Sequence, residues 1–345
     1  MQVAEVKRHP DSETTSLELI EVKGWQLVVR KGSLLPGDLC VYFPIDCILP
    51  QTLSDIIGVT RYLSKGRVQA AKLRGEPSYG LLWPIKDAQA HMDEWLSLRQ
   101  NTAPVPNFTE EEDVASFYDI QKWEPPLELN CIDAETSHSL FYKYTDIENY
   151  RNFPDILIPG EEVVITEKIH GKNSRHAYIE GTFMAGSHGM RLRENLTNEH
   201  WYVFSENMKE LLKKIGETDP AILFGELYGD GVQKGFSYGY KKGLRSHRSF
   251  DISVRNKYLD YEDYERLCKE FGIEMVPILY RGPFSMDEVM KYATAKSTVP
   301  GAGNMMEGVV IRPVKERHHQ KIGRVVLKYV FDQYLNRNGE KTEFH

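Results

Sequence analysis

The stretch TEKIHGKN, residues 166–173, decides how the rest of this sequence is interpreted. The run EEVVITEKI, which contains its first residues, is apolar and β-branched and predicts a buried strand that ends in a turn at Gly171. Lys168 therefore lies at the mouth of a strand, which is an unusual place for a lysine. A string of this kind, taken alone, is more often a solvated lysine in a surface turn, so other parts of the chain must decide its role.

Two later strands end in the same way, each with a single carboxylate. FGELYG, residues 224–229, places Glu226 in an otherwise apolar run, and MEGVVIR, residues 306–312, does the same with Glu307. A lone acid at the mouth of a buried strand is costly to desolvate unless it meets a metal, a hydroxyl or a base. The last strand, VVLKY, adds Lys328. Together these residues predict a pocket for Mg²⁺ and a nucleotide, because hard cations bind carboxylate and phosphate oxygens.

In such a pocket Lys168 would be the nucleophile. An amine attacks phosphorus only when it is neutral, so we expect the site to lower the pKa of Lys168, by desolvation or by neighbouring positive charge. Gly171 would let the backbone approach a nucleotide closely. His170 and Asn173 would supply polar contacts on either side of the amine.

The residues around this pocket predict an α+β fold. Strand patterns such as AILFGELYG and EGVVIRPV alternate with helical patterns in NEHWYVFSENMKELLKKIG, YEDYERLCKEFG and MDEVMKYATAK. A regular βαβ repeat and a Gly-rich dinucleotide fingerprint are both missing from the sequence. We therefore expect antiparallel sheets packed with helices over residues 139–345.

The first part of the chain predicts a separate small domain. Short β-rich runs broken by Gly and Pro, among them LELIEV, WQLVVRKG and DLCVYFP, favour an OB-type antiparallel barrel over residues 1–102 with a short helix at 86–102. Residues 101–135 carry a net charge of −8, whereas the segments before and after are nearly neutral. We interpret residues 103–138 as an acidic linker between the two domains.

Composition excludes several classes of protein. The chain has 41% hydrophobic and 27% charged residues and no apolar run long enough to span a bilayer, so no membrane partner is expected. The segment MQVAEVKRHPDSETT, residues 1–15, does not resemble a secretory signal, which predicts an intracellular, cytoplasmic protein. Its four cysteines form no CxxC pair and do not cluster with histidines, so we expect reduced thiols rather than disulfides or a zinc site.

The ordered set EKIHGKN, FGELYG, SFDIS, EGVVIRP and VVLKY resembles motifs I, III, IIIa, IV and V of the covalent nucleotidyltransferases, which include RNA ligases, DNA ligases and mRNA capping enzymes. KIHG followed two residues later by Asn, where many members have KxDG, is similar to the RNA ligase 2 branch. A barrel ahead of the catalytic domain also favours one group of RNA ligases, since DNA ligases and capping enzymes carry their OB domain after it.

The resemblance implies a role for each matched residue. Lys168 would form the AMP adduct, Glu167 would lie beside the adenine, and Phe250 would stack on the base. Glu226 would hold the ribose or a hydrated metal, and Glu307 would lie close to the catalytic Mg²⁺ or Mn²⁺. The remaining matches are Lys328, implied to contact the α-phosphate, and Asn173, implied to orient metal-bound water.

Two motifs depart from the family pattern. His188 stands where an arginine is expected, so Arg191 or Arg193 would take over that contact. Val326 and Val330 flank Lys328 where the family often has a second lysine.

The implied function is ATP-dependent joining of 3′-hydroxyl and 5′-phosphate RNA ends, at a nick or a break, by a monomeric enzyme. A DNA ligase or an mRNA-capping guanylyltransferase with the same lysyl-nucleotide chemistry remains open, as does a non-catalytic RNA-binding protein. Two basic segments could hold RNA, one at residues 234–248 and one at 312–328. Their candidate side chains are Lys241, Lys242, Arg245 and Arg312.

Overall fold

The structure is a computed structural model that describes residues 1–11, 13, 16–123, 133–195 and 197–337. The described residues form two compact units. Residues 1–123 and 335–337 make the first unit, and the described residues from 133 to 334 make the second.

A three-stranded antiparallel sheet in the order β1-β2-β3 is the largest sheet of the first unit. Three further strand pairs of this unit, β4-β8, β5-β9 and β6-β7, are also antiparallel. The elements are β1 (Glu5–Arg8), β2 (Leu17–Val22), β3 (Trp25–Arg30), β4 (Cys40–Phe43), β5 (Cys47–Ile48), α1 (Gln51–Ile57), β6 (Ala71–Leu73), β7 (Glu76–Ser78), β8 (Leu81–Pro84), α2 (Ile85–Ala90), α3 (Met92–Leu98) and β9 (Gln121–Lys122). The predicted helix at 86–102 is thus two short helices that meet at His91.

The segment expected to be an acidic linker differs from that expectation as far as it is described. Phe108, Phe117 and Tyr118 are buried in the core of the first unit, and Trp95 donates a hydrogen bond from Nε1 to the carbonyl of Phe117 at 3.2 Å. The aromatic side chains anchor the segment because each buries a large apolar area, while the acids Glu110, Glu111 and Asp113 stay exposed. Residues 124–132 of the expected linker lie outside the described residues.

Two sheets form the second unit. One has seven strands in the order β10-β15-β14-β13-β16-β17-β18, and the other has five in the order β11-β23-β20-β12-β19. The strands are β10 (Ala134–Glu135), β11 (Glu148–Asn149), β12 (Glu162–Lys168), β13 (Lys172–Ile179), β14 (Thr182–Gly186), β15 (Arg191–Leu192), β16 (Ala221–Gly229), β17 (Arg245–Val254), β18 (Lys257–Tyr258), β19 (Ile278–Pro283), β20 (Gly308–Pro313), β21 (His318–His319), β22 (Gly323–Arg324) and β23 (Leu327–Val330). The helices are α4 (Glu199–Tyr202), α5 (Glu206–Ile215), α6 (Tyr261–Glu270), α7 (Met286–Met290) and α8 (Asp332–Leu335).

Helices α5 and α6 bury their apolar stripes on one cluster with the seven-stranded sheet, through side chains such as Leu211, Leu212 and Tyr264. The helical pattern before residue 216 is interrupted, because the Ser205 side chain accepts a hydrogen bond from Met208 N and starts α5 there. The pattern at 286–296 gives a helix only as far as Met290. The result is the α+β arrangement of mostly antiparallel sheets that the sequence predicted.

Three cysteines, Cys40, Cys47 and Cys268, are buried free thiols, and Cys131 lies outside the described residues. Burial raises the pKa of Cys47 and of Cys268 to about 12, so both stay protonated at neutral pH. Within the described part of the chain, every helix is too short or too polar to cross a bilayer.

Candidate active site

Lys168 ends strand β12 directly opposite Gly308, the first residue of β20. Glu307 precedes that glycine, so the lysine Nζ donates a hydrogen bond to Glu307 Oε1 at 2.7 Å. A Cβ at position 308 would stand 2.3 Å from the carbonyl oxygen of Tyr329, which leaves room for glycine alone. The strand register and this close approach together hold the carboxylate of Glu307 against the amine of Lys168.

The second carboxylate comes from the other sheet. Glu226 in β16 is the cross-strand partner of Asn173 in β13, and such partners project from the same face of a sheet. Glu226 Oε1 accepts a hydrogen bond from Gly171 N at 3.0 Å. A Cβ at position 171 would lie 2.2 Å from the carbonyl oxygen of Leu227. Gly171 is therefore needed so that the turn after the lysine can pack on β16, a different reason from the nucleotide approach expected from the sequence.

The electrostatics of Lys168 are the reverse of the sequence expectation. Burial favours the neutral amine, but the charges of Glu307 and Glu226 and the hydrogen bond to Glu307 outweigh it, so the pKa of Lys168 is raised above its ordinary value. Burial also raises the pKa of Glu226 to about 8, although Lys168 opposes that shift. Without ligand, the amine of Lys168 is thus held protonated beside Glu307 and Glu226, and positive charge from a ligand would favour loss of its proton.

Glu167 faces a different partner from that of its neighbour Lys168. It is 1% exposed, and its Oε2 accepts hydrogen bonds from Thr298 N at 2.8 Å and Thr298 Oγ1 at 2.7 Å. Its Oε1 is buried and accepts no hydrogen bond from the described residues. A buried carboxylate oxygen in that state is costly, so it marks a place where a ligand donor would be stabilised. Nothing in the sequence singled out Thr298.

His170 is held in place by aromatic residues. Its backbone N–H donates to the Tyr238 hydroxyl at 2.7 Å, and its ring packs edge-on against Phe236 at 4.8 Å and Tyr334 at 5.4 Å. Its Nδ1 lies 3.5 Å from Glu307 Oε2. Phe236 and Tyr238 belong to the segment 234–248 that was predicted from the sequence to hold RNA. Both are buried and brace the turn at Gly171 instead, a role that sequence could not reveal because it depends on contacts between distant segments.

The site suits a divalent cation that is bound by a few protein oxygens together with water and substrate phosphates. Among the described residues, no group of three or more His, Cys, Asp or Glu is arranged to hold a metal ion, so a cage made of protein alone is not formed there. Glu307 Oε2 and Asn173 Oδ1 are nevertheless buried oxygens without a hydrogen bond to the described residues. Mg²⁺ and Mn²⁺ suit such a site, because hard ions of this size keep several waters and bind through one or two carboxylates plus substrate phosphates.

The second unit matches a known protein family. Residues 161–330 match the RNA ligase family model, and they include Lys168, Glu226, Glu307 and Lys328. The chain carries an RNA ligase domain. Residues 1–85 match an OB-fold domain, so the predicted order of an OB domain ahead of the RNA ligase domain is confirmed. No curated protein matches the chain by sequence.

Solved structures agree with this assignment of the fold. The Naegleria gruberi RNA ligase with PPi is 24% identical, with a TM-score of 0.73 over 98% of this chain and 97% of that chain. A mutant of the same ligase with ATP and Mn matches at 24% identity and a TM-score of 0.72, covering 97% of this chain and 96% of that chain. Another mutant, with AMP and Mn, is 24% identical over 97% and 96% of the two chains, with a TM-score of 0.71.

Three further residues that were predicted to belong to the site, Lys328, Phe250 and Arg191, lie elsewhere in the RNA ligase domain. Lys328 is the cross-strand partner of Val310, itself the partner of Thr166, so it shares a sheet face with Lys168, two residues along. Phe250 sits at a β-bulge and packs edge-on on Tyr144 at 4.9 Å. Arg191 lies on β15, next to the edge strand β10, with its Nε 3.0 Å from Glu135 Oε2.

The basic residues predicted to bind RNA divide into two groups. Lys241 and Lys242 are exposed, and Arg245 is partly exposed beside Glu199. Arg312 is 4% exposed, with its guanidinium 3.1 Å from Asp251 Oδ1 and in an ion pair with Glu316. It cannot reach RNA, and its prediction was wrong because its charge is used inside the protein. In the same segment Arg324 is buried in the same network, whereas Lys315 and Lys321 are exposed.

Proposed function

We propose that the RNA ligase domain works through Lys168, which attacks the α-phosphorus of ATP and carries AMP. The enzyme then joins a 3′-hydroxyl to a 5′-phosphate in RNA. The observation that carries this proposal is the lysine amine 2.7 Å from Glu307 Oε1, at the end of a buried strand but with its side chain still 20% exposed. The nucleotides and pyrophosphate named with the Naegleria ligase structures agree with this chemistry.

The bonds made and broken follow from the proposal. In the first step a P–N bond forms between Lys168 Nζ and the α-phosphorus while the bond to pyrophosphate breaks. Glu307 already accepts a hydrogen bond from Nζ and is the nearest acceptor for the departing proton. In the second step an oxygen of the RNA 5′-phosphate attacks the same phosphorus, and Lys168 is regenerated. In the third step the 3′-hydroxyl oxygen attacks the activated 5′-phosphorus and AMP leaves.

Glu307, Glu226 and Asn173 would hold a divalent cation, Mg²⁺ or Mn²⁺. When bound, such an ion supplies positive charge that favours the neutral form of Lys168 and offsets charge on the phosphate oxygens. The carboxylates that raise the pKa of the lysine in the ligand-free protein would then be neutralised by the ion. The lysine's own contribution is position, because β12 and β20 fix it before ATP arrives.

The nucleotide would be recognised by groups on several elements. Glu167 Oε1, the buried oxygen without a hydrogen bond, suits the 6-amino group of adenine. Phe250 would stack on the base after local movement, and Lys328 would contact the α-phosphate from the same sheet face as Lys168. His170, ordered by its aromatic neighbours, would face the phosphates. Arg191 would have to exchange its ion pair with Glu135 for a contact with the nucleotide.

For the polynucleotide we propose nicked or broken RNA bound by Lys241, Lys242 and Arg245, with the enzyme acting as a monomer. Lys241 and Lys242 are exposed near the end of β16 that carries the catalytic carboxylate, and phosphate contacts of this kind position a strand without reading its sequence. An intracellular location stays a prediction from the sequence of residues 1–15.

The covalent adduct is the direct test. The protein is incubated with ATP labelled at the α-phosphate and a divalent cation, then denatured and examined for bound label. We expect label on the wild type, none on Lys168→Ala, and label on Lys214→Ala, an exposed lysine paired with Glu270 on the far helices. An adduct formed from α-labelled GTP alone would favour a capping enzyme, and no adduct from either nucleotide would favour a non-catalytic RNA-binding protein.

The nucleic acid is tested separately. Nicked duplexes are made with RNA or DNA on each side of the nick, and sealing of each is followed with time. We expect sealing where the strand that supplies the 3′-hydroxyl is RNA. Equal sealing of an all-DNA nick would indicate a DNA ligase.

A further inference from the structure

Glu199 lies between two cations at one end of the seven-stranded sheet. Its Oε1 accepts a hydrogen bond from Lys172 Nζ at 2.7 Å, and its Oε2 is 3.5 Å from Arg245 Nη1. The Glu199 side chain is 19% exposed, whereas those of Lys172 and Arg245 are 46% and 31% exposed. Both cations therefore reach solvent around a carboxylate that is more buried than either. We call these three residues the cation clamp.

The cation clamp adjoins the turn at Gly171 that follows Lys168, the proposed nucleophile; this turn is called the nucleophile turn below. Lys172 directly follows Gly171, whose N–H binds Glu226, and it is the first residue of β13. Arg245 is the first residue of β17 and the cross-strand partner of Gly229. The register places Lys172 opposite Leu227, which lies opposite His247, two residues from Arg245. Lys172 and Arg245 therefore share one face of the sheet, the face opposite to that of Asn173 and Glu226.

Glu199 is held firmly in this position. It begins the short helix α4, where the Asn198 side chain accepts a hydrogen bond from His200 N. His200 Nδ1 is 2.9 Å from the hydroxyl of the buried Ser174, and Trp201 Nε1 donates to the Leu192 carbonyl at 2.9 Å. These contacts fix the backbone of Glu199, so its carboxylate can hold the two cations together before any ligand arrives, while rotation about its side-chain bonds can still move the carboxylate away from them.

The charges of the clamp do not balance. Two cations meet one carboxylate, which leaves one positive charge, and Lys241 and Lys242 add exposed positive charge in the segment that leads into β17. Arg245 Nε is buried and makes no hydrogen bond with the described residues, so one donor of its guanidinium is not used. A guanidinium and an ammonium that converge on one pair of oxygens suit a phosphate group as well as they suit a carboxylate.

We propose that the cation clamp binds an internal phosphodiester of the RNA substrate and that the Glu199 carboxylate occupies the phosphate position until RNA displaces it. The inference rests on the proposed RNA ligase function and adds where the strand is held. A phosphodiester has the single negative charge and the two charged oxygens of a carboxylate, so the exchange leaves the local charge balance on the cations unchanged. A phosphodiester bound by Lys172, one residue after Gly171, would hold the RNA strand beside the nucleophile turn.

Binding without ATP tests the clamp. Affinity for a nicked RNA duplex is measured by fluorescence anisotropy over a range of salt concentrations. We expect Lys172→Ala and Arg245→Ala each to weaken binding about tenfold, and the slope of log affinity against log salt to become shallower by about 1. Lys172→Arg, which keeps the charge, should restore most of the affinity. Lys214→Ala serves as the control, since it removes one charge from an exposed ion pair with Glu270.

Glu199→Gln gives the sharpest outcome, because misfolding cannot produce it. Removal of the competing charge should raise affinity about two- to fivefold, the range expected for releasing an exposed ion pair. Duplexes with a 5′-hydroxyl and with a 5′-phosphate at the nick should respond alike to all variants. A loss seen only with the 5′-phosphate would overturn the internal phosphodiester, and Lys172→Ala matching Lys214→Ala would overturn the clamp. Since the assay contains no ATP, failure to form the lysine adduct would leave these results interpretable.

Discussion

The RNA ligase domain contains two buried groups of charges that lie on partly shared strands and behave in opposite ways. In the closed network Asp251 is within 2.6 Å of Arg324 Nη2 and 3.1 Å of Arg312 Nη1, and the Tyr144 hydroxyl donates to it at 2.7 Å. In the open site Lys168 and Glu307 are paired, but acceptor oxygens remain without hydrogen bonds. Asp251 is fully buried, whereas the Lys168 side chain is 20% exposed.

The difference shows how to separate a structural charge cluster from a reactive one. Burial opposes the ionisation of Asp251, but its two arginines outweigh that cost and lower its pKa, so every charge of the closed network is compensated within the protein. The network also connects β17 of the seven-stranded sheet with β20 of the five-stranded one. The open site has two acids for one lysine, and the raised pKa of Glu226 means that its ionisation at neutral pH needs positive charge from a ligand. Acceptor oxygens without hydrogen bonds and access to solvent, rather than burial alone, mark the reactive cluster.

The largest effect should come from breaking the closed network. Asp251→Asn leaves Arg312 and Arg324 buried without their central anion, which should lower the free energy of unfolding by about 3–5 kcal/mol. Urea unfolding followed by circular dichroism measures the change. Asp263→Asn, which removes an exposed partner of Arg266 on α6, is the matched control and should cost less than about 0.5 kcal/mol. Equal costs for the two variants would mean that the network does not stabilise the fold.

The open site should respond in the opposite way. Glu307→Gln removes a charge that the nucleotide chemistry needs, so the rate of lysine adenylylation should fall about 100-fold, equivalent to about 2.7 kcal/mol. Its free energy of unfolding should change by less than about 1 kcal/mol, because the site is not built for stability. The rate is measured by rapid quenching with labelled ATP. A loss of stability like that of Asp251→Asn, with the rate preserved, would erase the distinction between the two clusters.

A third cluster sharpens the comparison because its buried groups are neutral. Burial lowers the pKa of His176 and of His200 to about 3, far below the ordinary 6.5. Both are neutral in the folded protein while the unfolded chain takes up protons below pH 6.5, so the stability present above that pH is lost as the pH falls. Each histidine should contribute about 1.4 kcal/mol per pH unit to that loss.

His200→Asn tests this contribution. The amide can keep a hydrogen bond with Ser174, so the variant should fold, and its free energy of unfolding should decline less steeply by about 1.4 kcal/mol per pH unit between about pH 6 and pH 4. Urea unfolding at each pH gives the slope. His318→Asn, at an exposed position, is the control. An unchanged slope for His200→Asn would show that this histidine does not stay neutral in the fold.

Much of the RNA ligase domain was predictable because its strands are apolar runs ended by single charged residues. The pattern AILFGELYG matches β16 residue for residue, and it placed Glu226 correctly in that strand. The raised pKa of Lys168 was not predictable, since it depends on Glu307, 139 residues away in sequence. The need for Gly171 depends in the same way on the backbone of Leu227 in another strand.

Surface and core were harder to separate by composition. Arg312 follows an apolar strand and resembles an RNA contact, yet Asp251 binds it in the core. The aromatics of the loop at 234–242 pack on His170, although glycines and lysines around them are typical of an exposed loop. In the segment expected to be a linker, Phe117 and Tyr118 are buried in the core, although a run of acids precedes them. In each case a partner far along the chain decides burial, and no local pattern contains it.

The pairing of Lys168 with Glu307 across β12 and β20 has a consequence for the maturation of the enzyme. The two residues come from strands far apart in sequence and meet only when the five-stranded sheet has closed in the correct register. A chain still being synthesised, or one whose sheet is out of register, has the lysine but not the carboxylate beside it. On the proposed function, labelling by ATP therefore counts correctly folded molecules, and the appearance of label after dilution from urea times the pairing of β12 with β20.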